Sequence, residues 1–149
     1  MMKKLFVAAL LIFMLPLSYA GNSNTIKWQR NLDQALENAK KSNQLLILDF
    51  YADWCPPCNQ MEKTTYVDSR IIEQLKNYIP VKIDIDKKPK LANKYDGNAR
   101  ANGGSGIPAT IILDANGNQL AKVHGYQTPE ELLRVLSEVS AKRTKIILK

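Results

Sequence analysis

Residues 45–58 read Leu45-Leu46-Ile47-Leu48-Asp49-Phe50-Tyr51-Ala52-Asp53-Trp54-Cys55-Pro56-Pro57-Cys58, and they hold both cysteines of the 149-residue chain. The apolar run from Leu45 is continuous rather than alternating, which is typical of a strand buried on both faces of a parallel sheet. Pro57 fits the first turn of a helix, because its missing N–H is not needed there. The two thiols therefore stand at a predicted strand-to-helix junction.

The spacing of the cysteines favours redox chemistry over a structural role. A disulfide that stabilises a fold does so mainly by closing a long loop, and only two residues separate Cys55 from Cys58. A dithiol of this kind can close into a small disulfide ring and reopen by exchange. A structural staple and a metal clip remain as alternatives at this point.

The first residues have the pattern of a cleavable signal peptide. Two lysines precede the apolar run from Leu5 to Leu15, and the small residues Ser18 and Ala20 follow it. The run is shorter than the ~20 residues that a membrane-spanning helix needs. We expect cleavage after Ala20, a periplasmic or secreted mature chain, and no stable membrane insertion after cleavage.

The composition is that of one globular domain, with 45% hydrophobic and 23% charged residues. We assign residues 1–20 to the signal peptide and 21–149 to a single domain, with a core of about 25–140 and a basic C-terminal tail. The formal charge of +7 comes from scattered basic residues without interleaved aromatics, which argues against nucleic-acid binding. No dimerisation segment is visible, so we expect a monomer.

Hydrophobic periodicity and turn residues predict a mixed sheet with helices on both faces. The predicted strands are 25–28, 45–51, 79–85, 109–113 and 119–124. The first predicted helix carries Leu32 to Ala39, the second starts near Pro57, the third follows the cap Asp68, and the fourth spans 90–95. The last follows Thr128, which forms a capping box with Glu131. Residues 96–106 are polar and rich in glycine, which predicts a loop.

With these elements in place, the chain resembles the thioredoxin-fold family over roughly residues 25–140. The resemblance lies in residues 49–58, in Val81-Lys82-Ile83-Asp84-Ile85-Asp86, in Gly106-Ile107-Pro108, in Asp114 to Gly117 and in Gly125. The phrase from Phe50 to Cys55 and the following Met61-Glu62-Lys63-Thr64 are similar to exported members related to the C-terminal domain of DsbD-type disulfide reductases. The resemblance implies an α/β thioredoxin fold.

The two cysteines receive different roles from their places on the predicted helix. Cys55 at the N-terminus faces free N–H groups and the positive end of the helix dipole, so its thiolate is favoured and it is the predicted nucleophile. Cys58 lies one turn further in, where we expect it to be less exposed. It would attack the mixed disulfide on Cys55 and release the substrate.

Asp49 and Lys82 are the predicted catalytic residues that support the dithiol. An ionised carboxylate in an apolar strand needs a partner or a raised pKa. The resemblance implies that Asp49 is the family's buried acid, which relays the proton of the resolving thiol, although an aspartate that caps the next turn is an alternative. Lys82 matches the family's lysine beside this acid, whereas the pattern alone places it on the polar side of an alternating strand.

The resemblance also implies a substrate-binding groove. Trp54 matches a tryptophan that shields the dithiol, Ile107-Pro108 matches a cis-proline loop that holds a peptide like an added strand, and Gly125 matches a glycine at the rim. His124, the only histidine, receives no role. The glycine-rich link at 97–106 is longer than in typical thioredoxins, and Ala109 replaces the usual threonine.

The function that this pattern predicts is that of a periplasmic thiol-disulfide oxidoreductase working as a reductase. Its predicted partners are protein thiols and disulfides and a membrane electron donor of the DsbD type, and no cofactor is expected. The alternatives are a disulfide oxidase or isomerase and a non-enzymatic carrier of Cu(I) or another soft metal. Two cysteines and one histidine are too few for a closed zinc site, so we assign no metal.

Overall fold

A computed structural model describes residues 24–95 and 106–147, with side chains described as far as residue 144. The predicted signal peptide at 1–20 and all but the last residue of the link at 97–106 lie outside the described residues. No helix in the described ranges is long and apolar enough to cross a membrane.

The described residues form a series of helices and strands that mix along the chain. In order they are α1 (Leu32–Ser42), β1 (Leu45–Tyr51), α2 (Pro56–Thr64), α3 (Ser69–Leu75), β2 (Tyr78–Asp84), α4 (Pro89–Lys94), β3 (Ala109–Leu113), β4 (Gln119–His124) and α5 (Pro129–Ile147). The predicted caps are present: the Asp68 carboxylate accepts from the N–H of Arg70, and the Thr128 hydroxyl accepts from that of Glu131.

The strands form one mixed sheet in the order β2-β1-β3-β4. β1 pairs with β2 in parallel and with β3 in antiparallel orientation, and β3 and β4 form an antiparallel hairpin. Gly117 takes a positive φ of 87° in the hairpin turn, a conformation that glycine adopts without steric cost. β1 is almost wholly buried because strands flank it on both edges and helices cover both faces.

Two apolar layers cover the sheet, as the alternation of side chains along β1 requires. Leu46, Leu48 and Phe50 face the layer built with α1 and α4. Leu45 and Ile47 face the layer built with α2, α3 and α5. The predicted fold class, a mixed sheet flanked by helices on both faces, is therefore confirmed.

The predicted strand at 25–28 is wrong. The only pairing there is a single parallel bridge one residue later, where the Gln29 N–H donates to the Pro80 carbonyl and the Lys82 N–H donates to that of Gln29, each at 2.9 Å. The chain turns into α1 at Leu32, too soon after the bridge for a ladder to extend. α5 continues to Ile147, past the predicted core limit at residue 140.

Candidate active site

Three chain segments meet at the end of the sheet where β1 finishes. Because β3 runs antiparallel to β1, Ala109 at its start lies beside Phe50 near the end of β1. β4 returns to the same end, where His124 pairs with Ala109. The turn that leads to Cys55, the loop that carries Pro108 and the turn at Gly125 are therefore neighbours.

Cys55 and Cys58 are joined by a disulfide, with their Cα atoms 5.3 Å apart. Cys55 occupies the N-cap of α2 in an extended conformation, and its Sγ accepts the N–H of Cys58 at 3.3 Å. Pro56 and Pro57 open the helix, where a missing N–H costs nothing. The predicted position of Cys55 at a helix N-terminus is thus the observed one.

The expectation that Cys58 is less exposed than Cys55 is wrong. In the disulfide form Cys55 is 1% exposed and Cys58 is 4% exposed. The N–H of Cys55 donates to the Ala52 carbonyl at 3.1 Å, so the turn before α2 folds the first cysteine inward. Both cysteines pack in one apolar cluster with Ile107. What distinguishes Cys55 is its N-cap position.

The loop before β3 is held against this end of the sheet from two sides. The peptide bond between Ile107 and Pro108 is cis, and both residues are buried. The N–H of Gly125 donates to the Pro108 carbonyl at 2.8 Å, with a positive φ of 82° at the glycine. The Nδ1 of His124, which received no role from the sequence, donates to the Gly106 carbonyl at 2.8 Å.

Trp54 is the large apolar side chain that the site presents to solvent, with 53% of its surface exposed. Its indole Nε1 donates to Asp86 at 2.6 Å, so the turn after β2 holds one edge of the ring. A ring that is anchored at one edge and open on the rest offers contact area to a protein partner at little cost in conformational entropy.

Asp49 lies in the middle of β1 and is 2% exposed. Burial raises the pKa of its carboxyl above the ordinary value, and the positive charge of Lys82 opposes that rise. The Nζ of Lys82 lies 3.6 Å from Asp49 Oδ2. The structure thus places a buried acid one strand away from a buried base.

Lys82 is not on a solvated face of β2, as the alternating pattern by itself indicated, because it is only 6% exposed. Three aromatic rings surround its Nζ, those of Trp28, Tyr51 and Tyr66, with ring centres 5.1, 5.0 and 5.5 Å away. It also forms an ion pair with Glu62. Burial lowers the pKa of Lys82, and the neighbouring Asp49 carboxylate opposes that effect.

The sequence did not identify several residues that the structure brings to this buried pair. Glu62 is four residues after Cys58 in the same helix, and that spacing places the two on one side of α2. Thr110 is the register partner of Asp49 on β3, which requires knowledge of the strand pairing. No signal in the sequence pointed to Trp28 or Tyr66.

No group of three or more His, Cys, Asp or Glu side chains that could hold a metal ion occurs among the described residues. A cavity of about 320 Å³ lies at the opposite end of β1, lined by Leu45, Leu120 and Arg143 among others. None of the residues that line it is among the predicted site residues.

Comparison with known proteins agrees with this geometry. A thioredoxin-like domain model matches residues 32–140. The chain is 34% identical to the thiol:disulfide interchange protein DsbD of Ralstonia nicotianae over 74% of its own length and 18% of that protein. It is 30% identical to the DsbD of Yersinia pestis (strain Pestoides F) over 92% of its length and 25% of that protein.

Among solved structures, a thioredoxin from Thermus thermophilus superposes with a TM-score of 0.66 at 20% identity, covering 79% of this chain and 89% of that one. This match supports the fold alone. The chain spans about a fifth to a quarter of the length of the DsbD relatives, so the match concerns one domain of those proteins. The chain belongs to the thioredoxin-like domain family, and the Cys55–Cys58 disulfide lies within the part that the family model matches.

Proposed function

We propose that the protein is a periplasmic thiol-disulfide reductase that passes two electrons from a membrane donor to disulfides in other proteins. The observation that carries this proposal is the buried Asp49–Lys82 pair, in a fold whose dithiol begins at the N-terminus of α2. This arrangement is of the reducing, thioredoxin-like kind. The predicted signal peptide supports the periplasmic location.

In the first step the Cys55 thiolate attacks one sulfur of a client disulfide. The new S–S bond joins Cys55 to the client, the client S–S bond breaks, and the second client sulfur leaves as a thiolate that takes up a proton. The N-cap position favours the attacking thiolate, because the Cys58 N–H donates to Cys55 Sγ and the positive end of the α2 dipole lies beside it.

In the second step Cys58 resolves the mixed disulfide. The Cys58 thiol gives its proton to the Asp49 carboxylate, and the resulting thiolate attacks Sγ of Cys55. The bond between Cys55 and the client breaks, and the second client thiolate is protonated. The net result is a reduced client and the Cys55–Cys58 disulfide, the form that the structure describes.

The client-binding groove in this proposal runs between Trp54 and the Ile107–Pro108 loop. The exposed indole of Trp54 supplies apolar contact area. The buried Pro108 loop, tied to Gly125, gives the groove a fixed wall against which an extended client segment can lie.

A reductase in an oxidising compartment needs a continuous supply of electrons. We propose that a membrane protein of the DsbD type donates them through its own dithiol, which becomes a disulfide as the Cys55–Cys58 pair is reduced. The relatives named thiol:disulfide interchange protein DsbD support this class of partner. Plausible clients are misoxidised proteins and the thiols of apocytochromes.

Trapping of mixed disulfides tests the proposed chemistry. Cys58→Ser removes the resolving thiol, so disulfide-linked adducts on Cys55 should accumulate in cells and disappear with dithiothreitol. Cys55→Ser is the matched control and should give almost no adducts. Absence of adducts from Cys58→Ser, or equal amounts from both variants, contradicts the assignment of Cys55 as nucleophile.

A Cu(I) titration of the reduced protein distinguishes the proposed reductase from the alternative, a non-enzymatic soft-metal carrier. The proposal predicts no tight, cysteine-dependent copper binding. Tight binding that both serine variants abolish, combined with the absence of adducts, would favour a soft-metal carrier.

A further inference from the structure

Three polar side chains form a row across the middle of the sheet. Lys82 on β2 and Thr110 on β3 are the register partners of Asp49 on β1, one on each side. Register partners point to the same face of a sheet, so all three side chains lie on the face covered by α2, α3 and α5. All three are buried.

Tyr66 covers this row from the helical layer. It follows α2 and is buried, with its ring over the Nζ of Lys82 and edge-on to Trp28 at a centroid distance of 4.9 Å. Its ring therefore lies against the same ammonium group that is 3.6 Å from Asp49 Oδ2. Burial raises the pKa of the Asp49 carboxyl, and its interaction with Tyr66 opposes that rise.

Three buried oxygen atoms of this cluster have no hydrogen-bond partner of standard geometry within the described part of the chain. These atoms are Asp49 Oδ1, Tyr66 Oη and Thr110 Oγ1. Buried polar atoms normally find partners, and an unpaired one is costly. These three atoms can satisfy one another if the Tyr66 hydroxyl turns toward the carboxyl and the Thr110 hydroxyl turns toward Tyr66.

The Tyr66 hydroxyl is suited to the part of donor. Burial raises its pKa well above the ordinary value, and the adjacent Asp49 carboxylate raises it further, so the phenol keeps its proton. The hydroxyl of Thr110 always carries a proton.

We propose that Tyr66 is a positioning residue of the active site: its hydroxyl donates to Asp49 Oδ1 when the carboxyl is ionised, while Thr110 donates to the Tyr66 oxygen. Lys82 holds the other carboxylate oxygen. This inference rests on the proposed role of Asp49 as acceptor of the Cys58 proton. The two hydroxyls stabilise the carboxylate form that performs that role, inside an environment that otherwise disfavours it.

The other charged and titratable groups around Asp49 come from three further segments. Lys82 on β2 and Arg30 before α1 are positive and favour the carboxylate. Glu62 on α2 pairs with Lys82, and the Tyr51 ring lies against the same ammonium group. Tyr66→Phe changes none of these charges, so the effect of the variant reports on the hydroxyl.

A titration of the Asp49 carboxyl carbon by NMR in the oxidised protein tests the inference. We expect the midpoint in Tyr66→Phe to rise by about one pH unit, since a hydrogen bond to a charged group is worth at least that much. Thr110→Val should give a smaller rise, and Thr110→Ser, which keeps a hydroxyl, should restore the wild-type midpoint. Tyr78→Phe is the matched control, because Tyr78 is a buried tyrosine whose hydroxyl bonds to Leu136 and Ser140 instead.

A second readout separates positioning from packing. In Tyr66→Phe the pH profile of the rate of mixed-disulfide resolution should move to higher pH by the same amount. At high pH the rate should reach the wild-type plateau. An unchanged or lowered midpoint in the oxidised protein overturns the positioning role. No disulfide exchange takes place in the oxidised sample, so that result concerns only the positioning role of Tyr66. Full activity of Asp49→Asn would instead contradict the role of Asp49 as proton acceptor.

Discussion

The Nζ of Lys82 lies 3.6 Å from Asp49 Oδ2, and the two side chains are register partners on adjacent parallel strands with almost no exposure to solvent. Burial raises the pKa of the acid and lowers that of the base, so burial destabilises both charged forms and their mutual attraction opposes it. The protein retains a costly arrangement around β1, the strand that leads to the dithiol. This points to chemistry rather than to stability.

Asp49→Asn should make the protein more stable at neutral pH and slower in catalysis. Folding raises the pKa of Asp49, so the contribution of this carboxyl to stability is fully present below its unfolded-state pKa of about 3.8. That contribution is lost as the pH rises through the folded-state pKa, where the buried carboxyl ionises. The variant should therefore be more stable than wild type near pH 8 and as stable as wild type below the unfolded-state pKa.

Denaturant unfolding at several pH values measures this difference. Resolution of a preformed mixed disulfide should slow at least about tenfold, because the variant lacks a proton acceptor. Lower stability of Asp49→Asn at pH 8, or unchanged resolution, would contradict the role given to this carboxyl.

Lys82→Met should destabilise the fold by about 3 kcal/mol, because it leaves the buried Asp49 carboxylate without its charged partner. Combining it with Asp49→Asn should recover most of that loss, since the buried group is then uncharged. The double-mutant cycle in urea measures both quantities. A change in stability of the double variant equal to the sum of the two single changes would mean that the pair is not energetically coupled.

Trp54→Ala should weaken client binding without weakening the fold. Half of the indole is exposed, so its removal costs little stability, whereas loss of an aromatic contact should raise KM for a protein disulfide by about tenfold. Reduction of a small-molecule disulfide should be unaffected. Val67→Ala is the control, an exposed apolar side chain beyond the far end of α2. Equal effects on large and small substrates would show that Trp54 does not form part of the client groove.

Gly125→Ala should cost about 1 kcal/mol, because its φ of 82° is unfavourable for a residue with a Cβ. Space is not the reason, since nothing described lies within 4 Å of the added atom. The strain acts on the Pro108 loop through the 2.8 Å hydrogen bond between the two residues, so client reduction should slow as well.

Gly117→Ala provides the comparison for this prediction. Gly117 has a φ of 87° in the β3–β4 hairpin, away from the dithiol. The Gly117→Ala variant should lose stability, but its rate of client reduction should equal that of wild type once it is corrected for the folded fraction. Loss of activity to the same extent in both variants would rule out a specific role for the Gly125–Pro108 contact.

The elements of the site that the sequence predicted are those encoded locally or in a contiguous motif. The strand-to-helix junction at Cys55 follows from an apolar run that meets two prolines, and the burial of Asp49 follows from its place in that run. The predicted strand at 25–28 failed because strand formation needs a partner as well as suitable residues, and only Gln29 finds one.

The surroundings of Lys82 are outside the reach of local patterns. Its aromatic neighbours come from three separate segments, before α1, at the end of β1 and after α2, which only the packed structure brings together. The alternation along β2 indicated a solvated lysine, because it contains no information about the layer above the strand. For the same reason, only the structure shows that Tyr66 and Thr110 belong to the surroundings of this buried pair.

The equilibrium reduction potential of the Cys55–Cys58 pair tests the central claim, that this dithiol acts as a reductase. Reference potentials of about −270 mV for thioredoxin and about −120 mV for the strong periplasmic oxidant correspond to a difference of about 7 kcal/mol, so the two directions are well separated. Titration of the purified mature chain against a dithiol buffer of known poise should give a value close to the thioredoxin end. A value near that of the oxidant would contradict the proposed direction of electron flow.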